Sequence, residues 1–387
     1  MLVCLRDYPC ACLCNAAISA MFMYGQPNAA VISYDVTRTA PAAAVEAGSR
    51  RDLSGEALLA DVSVVLRQAR GGVVVVSRSA PQVVVFESGR VSSQAGRVGM
   101  GPAEFQDANG AALFSADSLA VIDRMLRRVS IFDPAGKFVR SFNVKPPFAT
   151  PPFDITIAAL RSGKLLIGFV EAPALQPTPS PVSTTLHLVS YDSNGRAIKV
   201  VGRYFHSEHF VQAMPHGGIA FWDRVYGRRG VIIATDSSYF AGDASKGELR
   251  HYDHNGAVRE LHRFALTPAL VPRGEIERYR RKEIADERPQ DRPIEEARVR
   301  QMPYPKYYPA FRRVVRDHRG RLWLEQYPRN GVKAAPVWAV LDPAAHTVAN
   351  VSFPAGFVPY DFYGSRVIGI GTDSDGVQVI VDYGLSR

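Results

Sequence analysis

Beyond residue 14 this 387-residue chain contains no cysteine; its four, Cys4, Cys10, Cys12 and Cys14, crowd the N-terminus. That excludes a disulfide framework across the body. It also gives a zinc finger no support, because no Cys or His follows at metal-ligand spacing. No later segment reaches the ~18 apolar residues of a membrane-spanning helix. There is no GxSxG and no GxxxxGK[ST], so neither a nucleophile elbow nor a phosphate-cradling P-loop is implied. Charge is sparse too. Charged residues make up 21%, and the net charge of +9 is modest for this length. Much of it gathers between residues 273 and 321, and no Lys/Arg stripe interleaved with aromatics accompanies it. Nucleic acid is therefore not the expected partner.

What the chain has is apolar sequence, 47% of it, enough for a large core. "CACLCNAAISAMFMYG" followed by the small residues of "QPNAA" resembles a secretory signal peptide within residues 1–30. Asp7 and Pro9 are unfavourable there, and a disordered or misassigned N-terminus is the alternative. The expectation is an exported protein, periplasmic or extracellular, with a single domain over residues 31–387.

Short β-rich runs recur in pairs: "GVVVVS" with "QVVVFE", "SLAVID" with "RVSIFD", "KLLIGF" with "LHLVSYD", "GVIIATD" with "ELRHYD", "RLWLEQY" with "WAVLD", and "RVIGIGTD" with "VQVIVDYGL". Each is strand-length and rich in β-branched or aromatic residues. After three of them comes an aromatic, an Asp and a Gly-bearing turn, at Asp133, Asp192 and Asp253. Asp bonds its own backbone in tight turns, and Gly accepts positive φ. A further short run precedes each pair, as in "ADVSVVLR" and "DITIAAL". Six units of four antiparallel strands result. Such sheets bury both faces when arranged radially, which predicts an all-β, six-bladed β-propeller. A pair of sandwiches or a solenoid is the alternative. The last unit lacks its outer strand, and "VISYDVTR" (residues 31–38) is predicted to supply it and close the ring.

"GRVGMGPAEF" leads into "AALFSADSLAVIDRMLRRVSIFDPAGKFVRSF". This stretch resembles an NHL-type repeat, with Asp123, Arg128, Val129, Ile131, Phe132, Asp133 and Gly136 on that pattern. Ala103 and Leu126 depart from it. Across its length the chain is similar to bacterial exported six-bladed propeller proteins. That resemblance implies the fold and assigns no activity.

Residues 265–309 break the β pattern. "PRGEIERYRRKEIADERPQDRPIEEARVR" has helical composition, with Pro289 and Pro293 as breaks. The Pro- and Tyr-rich "MPYPKYYPAF" follows. This insertion, between the fourth and fifth units, is expected to lie over the central channel as a flap, or else to pack on a blade edge. Other long segments fall on the same face: residues 143–154, 171–185 and 204–210.

Candidate ligand-binding residues are Arg97, Arg124 and Arg127 as a basic rim, His206 and His209 as an HxxH pair in a loop, and Tyr304 and Tyr307 beside the insertion. His251 and His254 straddle an outer turn, and chance accounts for their spacing. "DSDG" (residues 373–376) lacks the later ligands of a calcium loop and is expected to be a hairpin turn. No catalytic constellation and no metal site can be assembled from spacing. The expected function is a recognition module, acting as a monomer, that binds a protein or small ligand on its loop-rich face. No cofactor is expected, with calcium the one ion left open. The alternative is a calcium- or zinc-dependent hydrolase or lyase with its site in the central channel, resembling propeller lactonases.

Overall fold

The computed structural model describes residues 29–34, 45, 46, 48–55, 59–79, 82–160, 162–173, 180–214, 219–265, 269–327, 337–343 and 347–386. Residues 1–28 of the expected leader and residues 35–38 of the predicted closing strand lie outside these. So do residues 174–179 of the Pro-rich stretch.

The described chain is mostly β. Six sheets of four or five strands follow one another along the sequence, accompanied by a two-stranded parallel pair, Arg97–Val98 with Glu104–Phe105. The second and third strands of most of these sheets are apolar almost without interruption; in the fourth sheet, Ser238–Asp243 and Glu248–Asp253 are mixed. Val73–Ser77 and Leu119–Asp123 are buried at every position. A continuous buried run, rather than an in–out alternation, means that both faces are covered. The covering comes from neighbouring sheets. One cluster joins Val74, Val76, Val83 and Val85 of the first sheet to Leu119, Val121 and Phe132 of the second. Comparable clusters join the second to the third, the third to the fourth, the fourth to the fifth and the fifth to the sixth. A further one joins Ile368, Ile370 and Ile380 of the sixth to Val65, Val73 and Val75 of the first. The leading strands of successive sheets, Val62–Arg67, Ala108–Phe114, Asp154–Ala159, Gly230–Ala234, Arg313–Arg316 and Val358–Tyr363, likewise touch one another in that order. This arrangement is consistent with a β-propeller.

The Asp-Gly turns are built as their residue types dictate. The Asp192 carboxylate accepts the Asn194 and Arg196 amides, each at 2.9 Å, and Gly195 takes φ +84°. Asp253 does the same with Asn255 and Ala257. "DSDG" is such a hairpin turn: Asp373 Oδ1 accepts the amides of Asp375 and Val377.

Three features differ from the sequence expectation. "GVIIATD" is the leading strand of the fourth sheet and not its second; the second is Ser238–Asp243. The run before it, "IAFWD", is taken up as a fifth strand of the third sheet, Ile219–Asp223, beside the long hairpin Ser180–Tyr191/Ala197–Ala213. Second, Ala30–Tyr34 does not complete the last sheet. It pairs in parallel with Val258–Phe264 at the outer edge of the fourth. There the Tyr34 ring enters a buried cluster with Phe264 and Phe311. The fourth strand of the last sheet is Arg51–Asp52, set antiparallel to Gln378–Gly384. Third, residues 180–185 and 204–210, expected as loops, are strand.

"GRVGMGPAEF" turns out to be a staple between sheets. Glu104 accepts the Gly101 amide at 2.7 Å and pairs with Arg97, which holds its carboxyl below the usual range. Arg128 donates to the carbonyls of Met100 and Gly101. Phe105 is buried against Phe132, with ring centroids 6.2 Å apart, in the cluster between the first and second sheets. Phe105→Ala should therefore cost about 3–5 kcal/mol of stability. Urea unfolding with an unchanged m-value is the check, and a loss under about 1 kcal/mol would mean the ring does not plug that interface.

Candidate functional site

The turn "DRVYGRRG" leaves the fifth strand of the third sheet and starts the leading strand of the fourth. Tyr226 sits there at φ +56°, followed by Gly227, whose amide bonds the Arg224 carbonyl at 2.8 Å. One carboxylate pins the turn from below. Glu208 accepts from Arg224 Nη1 and Arg228 Nε, both at 2.8 Å, and from the Arg228 amide at 3.1 Å. Burial pushes the Glu208 carboxyl up, but the Arg228 and Arg224 contacts outweigh it and leave it below the ordinary value.

The insertion is built onto this turn. It contains helices α1 (Arg273–Asp286) and α2 (Arg292–Gln301). Glu275, in the first turn of α1, accepts from Tyr226 Oη at 2.9 Å and from Tyr308 Oη. Tyr226, Tyr308 and Tyr327 form an aromatic trio, with Tyr308 stacked on Tyr327 at 4.9 Å. Arg224 Nε donates to the Pro303 carbonyl at 2.7 Å. Between the helices, buried Arg298 bonds Glu283, Glu295 and Tyr279. The two helices are thus locked to each other and to the sheets.

Beside this turn lies a cavity of about 1150 Å³. Its wall includes the start of three leading strands: Gly230 and Val231, Arg313 and Val314, Val358 and Pro359. Glu275 and Tyr279 of α1 complete it. Four arginines line it, Arg224 among them. Arg229, whose side chain is 54% exposed, pairs with Asp223, while Arg312, at 61%, shares Glu325 with Arg313. Burial pushes the Arg313 pKa down, against the pull of Glu325. Trp338 packs behind this wall, under the Arg313 guanidinium; it is fully buried, and its indole N–H has no partner among the described residues. A second cavity of about 550 Å³ lies against the same Arg224, Tyr226 and Tyr327, with Lys246 and Tyr307 on its wall. Cations and aromatic faces around open space suit a ligand that is anionic and partly planar.

The residues singled out from sequence are dispersed. Arg97 pairs with Glu104 and Arg124 with Asp107 within the second sheet and its approach, while Arg127 is exposed at φ +49°. Tyr304 donates to the Val299 carbonyl beneath Arg280, and Tyr307 reaches the smaller cavity. Only His206 and His209 are brought together, and on a strand, through Ser207. Ser207 Oγ lies 2.8 Å from His206 Nδ1 and 2.7 Å from His209 Nε2, and His209 Nδ1 lies 3.3 Å from Asp223. This Ser–His–Asp order has no open face: Ser207 is 3% exposed and His209 4%. It therefore lacks the approach that an attacking serine needs. Missed in the sequence were Arg229, Arg312 and Arg313. The signal was an Arg-Arg pair at the start of the leading strand in two consecutive sheets, "YGRRG" and "FRRVV".

No family model matches the chain, and no curated protein matches it. Solved structures resemble it in fold. One is a protein from Bacteroides fragilis whose name suggests export, at 12% identity and TM-score 0.52, over 92% of this chain and 100% of that one. Another is a member of the DUF4221 family from Bacteroides vulgatus, at 11% identity and TM-score 0.51, over 89% and 97%. A gluconolactonase from Xanthomonas campestris aligns at 10% identity over 94% and 99%, but at TM-score 0.44 it has no bearing on the chemistry here. Among the described residues, no helix is long and apolar enough to cross a membrane.

Burial pushes the His206 pKa down to about 4, with His209 and Arg229 adding to the shift. Burial lowers His209 as well. A depressed histidine keeps the folded state neutral, so its stabilising effect is full above the unfolded value of about 6.5 and fades as pH falls toward 4. Between pH 7.5 and 5 the protein should lose about 1–2 kcal/mol through His206. Denaturant unfolding of the wild type and His206→Gln at both pH values checks this; an equal loss in the variant refutes it.

Proposed function

We propose that the chain is an exported six-bladed propeller with an NHL-like second blade, and that it is a recognition protein rather than a catalyst. Its ligand is a small organic anion, carrying carboxylate or phosphate groups beside a planar or apolar body. It binds in the larger cavity, where α1 meets the leading strands of the last three blades. The observation that supports this most directly is the pair of half-exposed guanidiniums, Arg229 and Arg312, beside the same open space as Tyr327. A ligand anion beside Arg313 would offset its burial.

Recognition is favoured over a metal-dependent hydrolase or lyase by the state of the carboxylates. Asp223, Glu275 and Glu325 all line the cavity, and each is engaged by arginine or tyrosine. Tyr307, on the adjoining cavity, stays in this reading as a contact for a longer ligand. Arg97, Arg124, Arg127, His206, His209 and Tyr304 stay outside that cavity wall; the exposed Arg97, Arg124 and Arg127 remain available to a broader partner, while His209 is too buried to reach one.

A thermal-shift panel of di- and tricarboxylates, sugar acids and sugar phosphates, followed by calorimetry of the hits, tests the proposal. At least one class should raise Tm and saturate at one site. Arg229→Ala and Arg312→Ala should each weaken it about tenfold or more, the worth of a charge-assisted hydrogen bond. A panel without a binder, or binding indifferent to both substitutions, would sink the reading.

A further inference from the structure

The fourth sheet carries a cluster that plays no part in the cavity. His251 lies on its third strand, Glu248–Asp253, and Glu260 and His262 lie on its fourth, Val258–Phe264. The register sets His251 directly opposite Glu260. Glu260 and His262, two residues apart, point to one face. All three side chains therefore meet. Glu260 Oε2 lies 2.9 Å from His251 Nδ1 and 3.2 Å from His262 Nε2. The three donor atoms fall within 4.8 Å of one another.

The outward nitrogens are held as well. His251 Nε2 is 2.7 Å from Ser238 Oγ, and His262 Nδ1 is 3.1 Å from Tyr34 Oη. A hydroxyl either donates or accepts. Each imidazole can therefore direct its N–H at the hydroxyl and its lone pair at the cluster centre, which is how metal-ligating histidines are oriented. Phe240 fixes both planes, stacked on His251 at 4.4 Å and edge-on to His262 at 5.2 Å. His262 is 1% exposed, while the Glu260 side chain is 38% exposed, so the cluster has a sealed floor and an open side.

We propose that His251, Glu260 and His262 bind a divalent transition-metal ion, Zn²⁺ foremost. Two imidazole nitrogens and one carboxylate suit Zn²⁺, whereas Ca²⁺ and Mg²⁺ call for oxygen alone. Bonds of about 2.1 Å in a tetrahedron put the donors about 3.4 Å apart; the contacts to Glu260, at 2.9 and 3.2 Å, would open by a few tenths of an ångström, and the two imidazole nitrogens, within 4.8 Å, would close by about an ångström through small ring rotations. Solvent takes the fourth position on the Glu260 side. The site is structural: through Tyr34 it clamps the N-terminal strand Ala30–Tyr34 to the sheet that it edges. It is independent of the ligand site proposed above.

The test uses the full chain, stripped with chelator and titrated with ZnCl₂ by calorimetry and with Co²⁺ by visible absorption. One Zn²⁺ per chain should bind and raise Tm, and Co²⁺ should give the bands of a four-coordinate ion. Glu260→Gln, which preserves bulk and hydrogen bonding, should weaken Zn²⁺ at least tenfold and abolish the bands. His251→Gln provides the same test should Glu260→Gln not fold. His206→Gln should leave stoichiometry and affinity unchanged. The proposal is overturned if the wild type shows no saturable Zn²⁺ binding, if Glu260→Gln or His251→Gln binds as tightly as the wild type, or if His206→Gln removes the ion.

Discussion

Much in this molecule depends on middle strands that are covered on both faces. A strand such as Val73–Ser77 has no side to offer water, so its sheet is stable only with another sheet against each face. Each of the six clusters lies between neighbours, and no sheet has a core of its own. The hydrophobic effect is thus spent at interfaces between repeats. Outer strands and turns are relieved of packing duty and are free to vary.

That division of labour places the cavity. Leading strands are only partly buried, so an arginine can be tolerated at the first residue of one of them, Arg313. Arg313 is half-covered, and Glu325 beside it and the Trp338 and Tyr360 rings make that bearable. The insertion acts as a fixed wall, because Glu275 receives two tyrosine hydroxyls and Arg224 holds the Pro303 carbonyl. A wall held at both ends preorganises the space beside it, which lowers the entropy lost when a ligand is immobilised.

Legibility in the sequence followed the physics of burial. The doubly covered strands stood out as Val/Ile/Leu runs, and the Asp-Gly turns stood out because their chemistry is local. Ser238–Asp243 did not, since "SYFAGD" is short and mixed, and its neighbour "GVIIA" carried the stronger signal. The assignment of Ala30–Tyr34 also failed: an edge strand is chosen by the partner's free hydrogen bonds, which leave no trace in its own residues. The sites were harder still. His251 was visible beside His254, but its partners Glu260 and His262 are fixed by hairpin register across a turn. Arg229 and Arg312 are 83 residues apart in sequence, and only the leading strands of successive sheets bring them to one cavity.

The pairing of the N-terminal strand has a consequence for how the chain folds. Tyr34 finds Phe264, and Asp52 finds Val381, across more than 200 and 300 residues. Contacts so distant are made late, because the loop they close is costly in entropy until the intervening sheets exist. The first strands of the chain must therefore stay unpaired through most of folding, exposing backbone donors and acceptors while the sheets assemble. Completion of the fourth and sixth sheets then becomes the last event and a joint one. The protein should gain its kinetic stability at that closing step, and an edge left open before it is the point where the chain is most exposed to pairing with another copy.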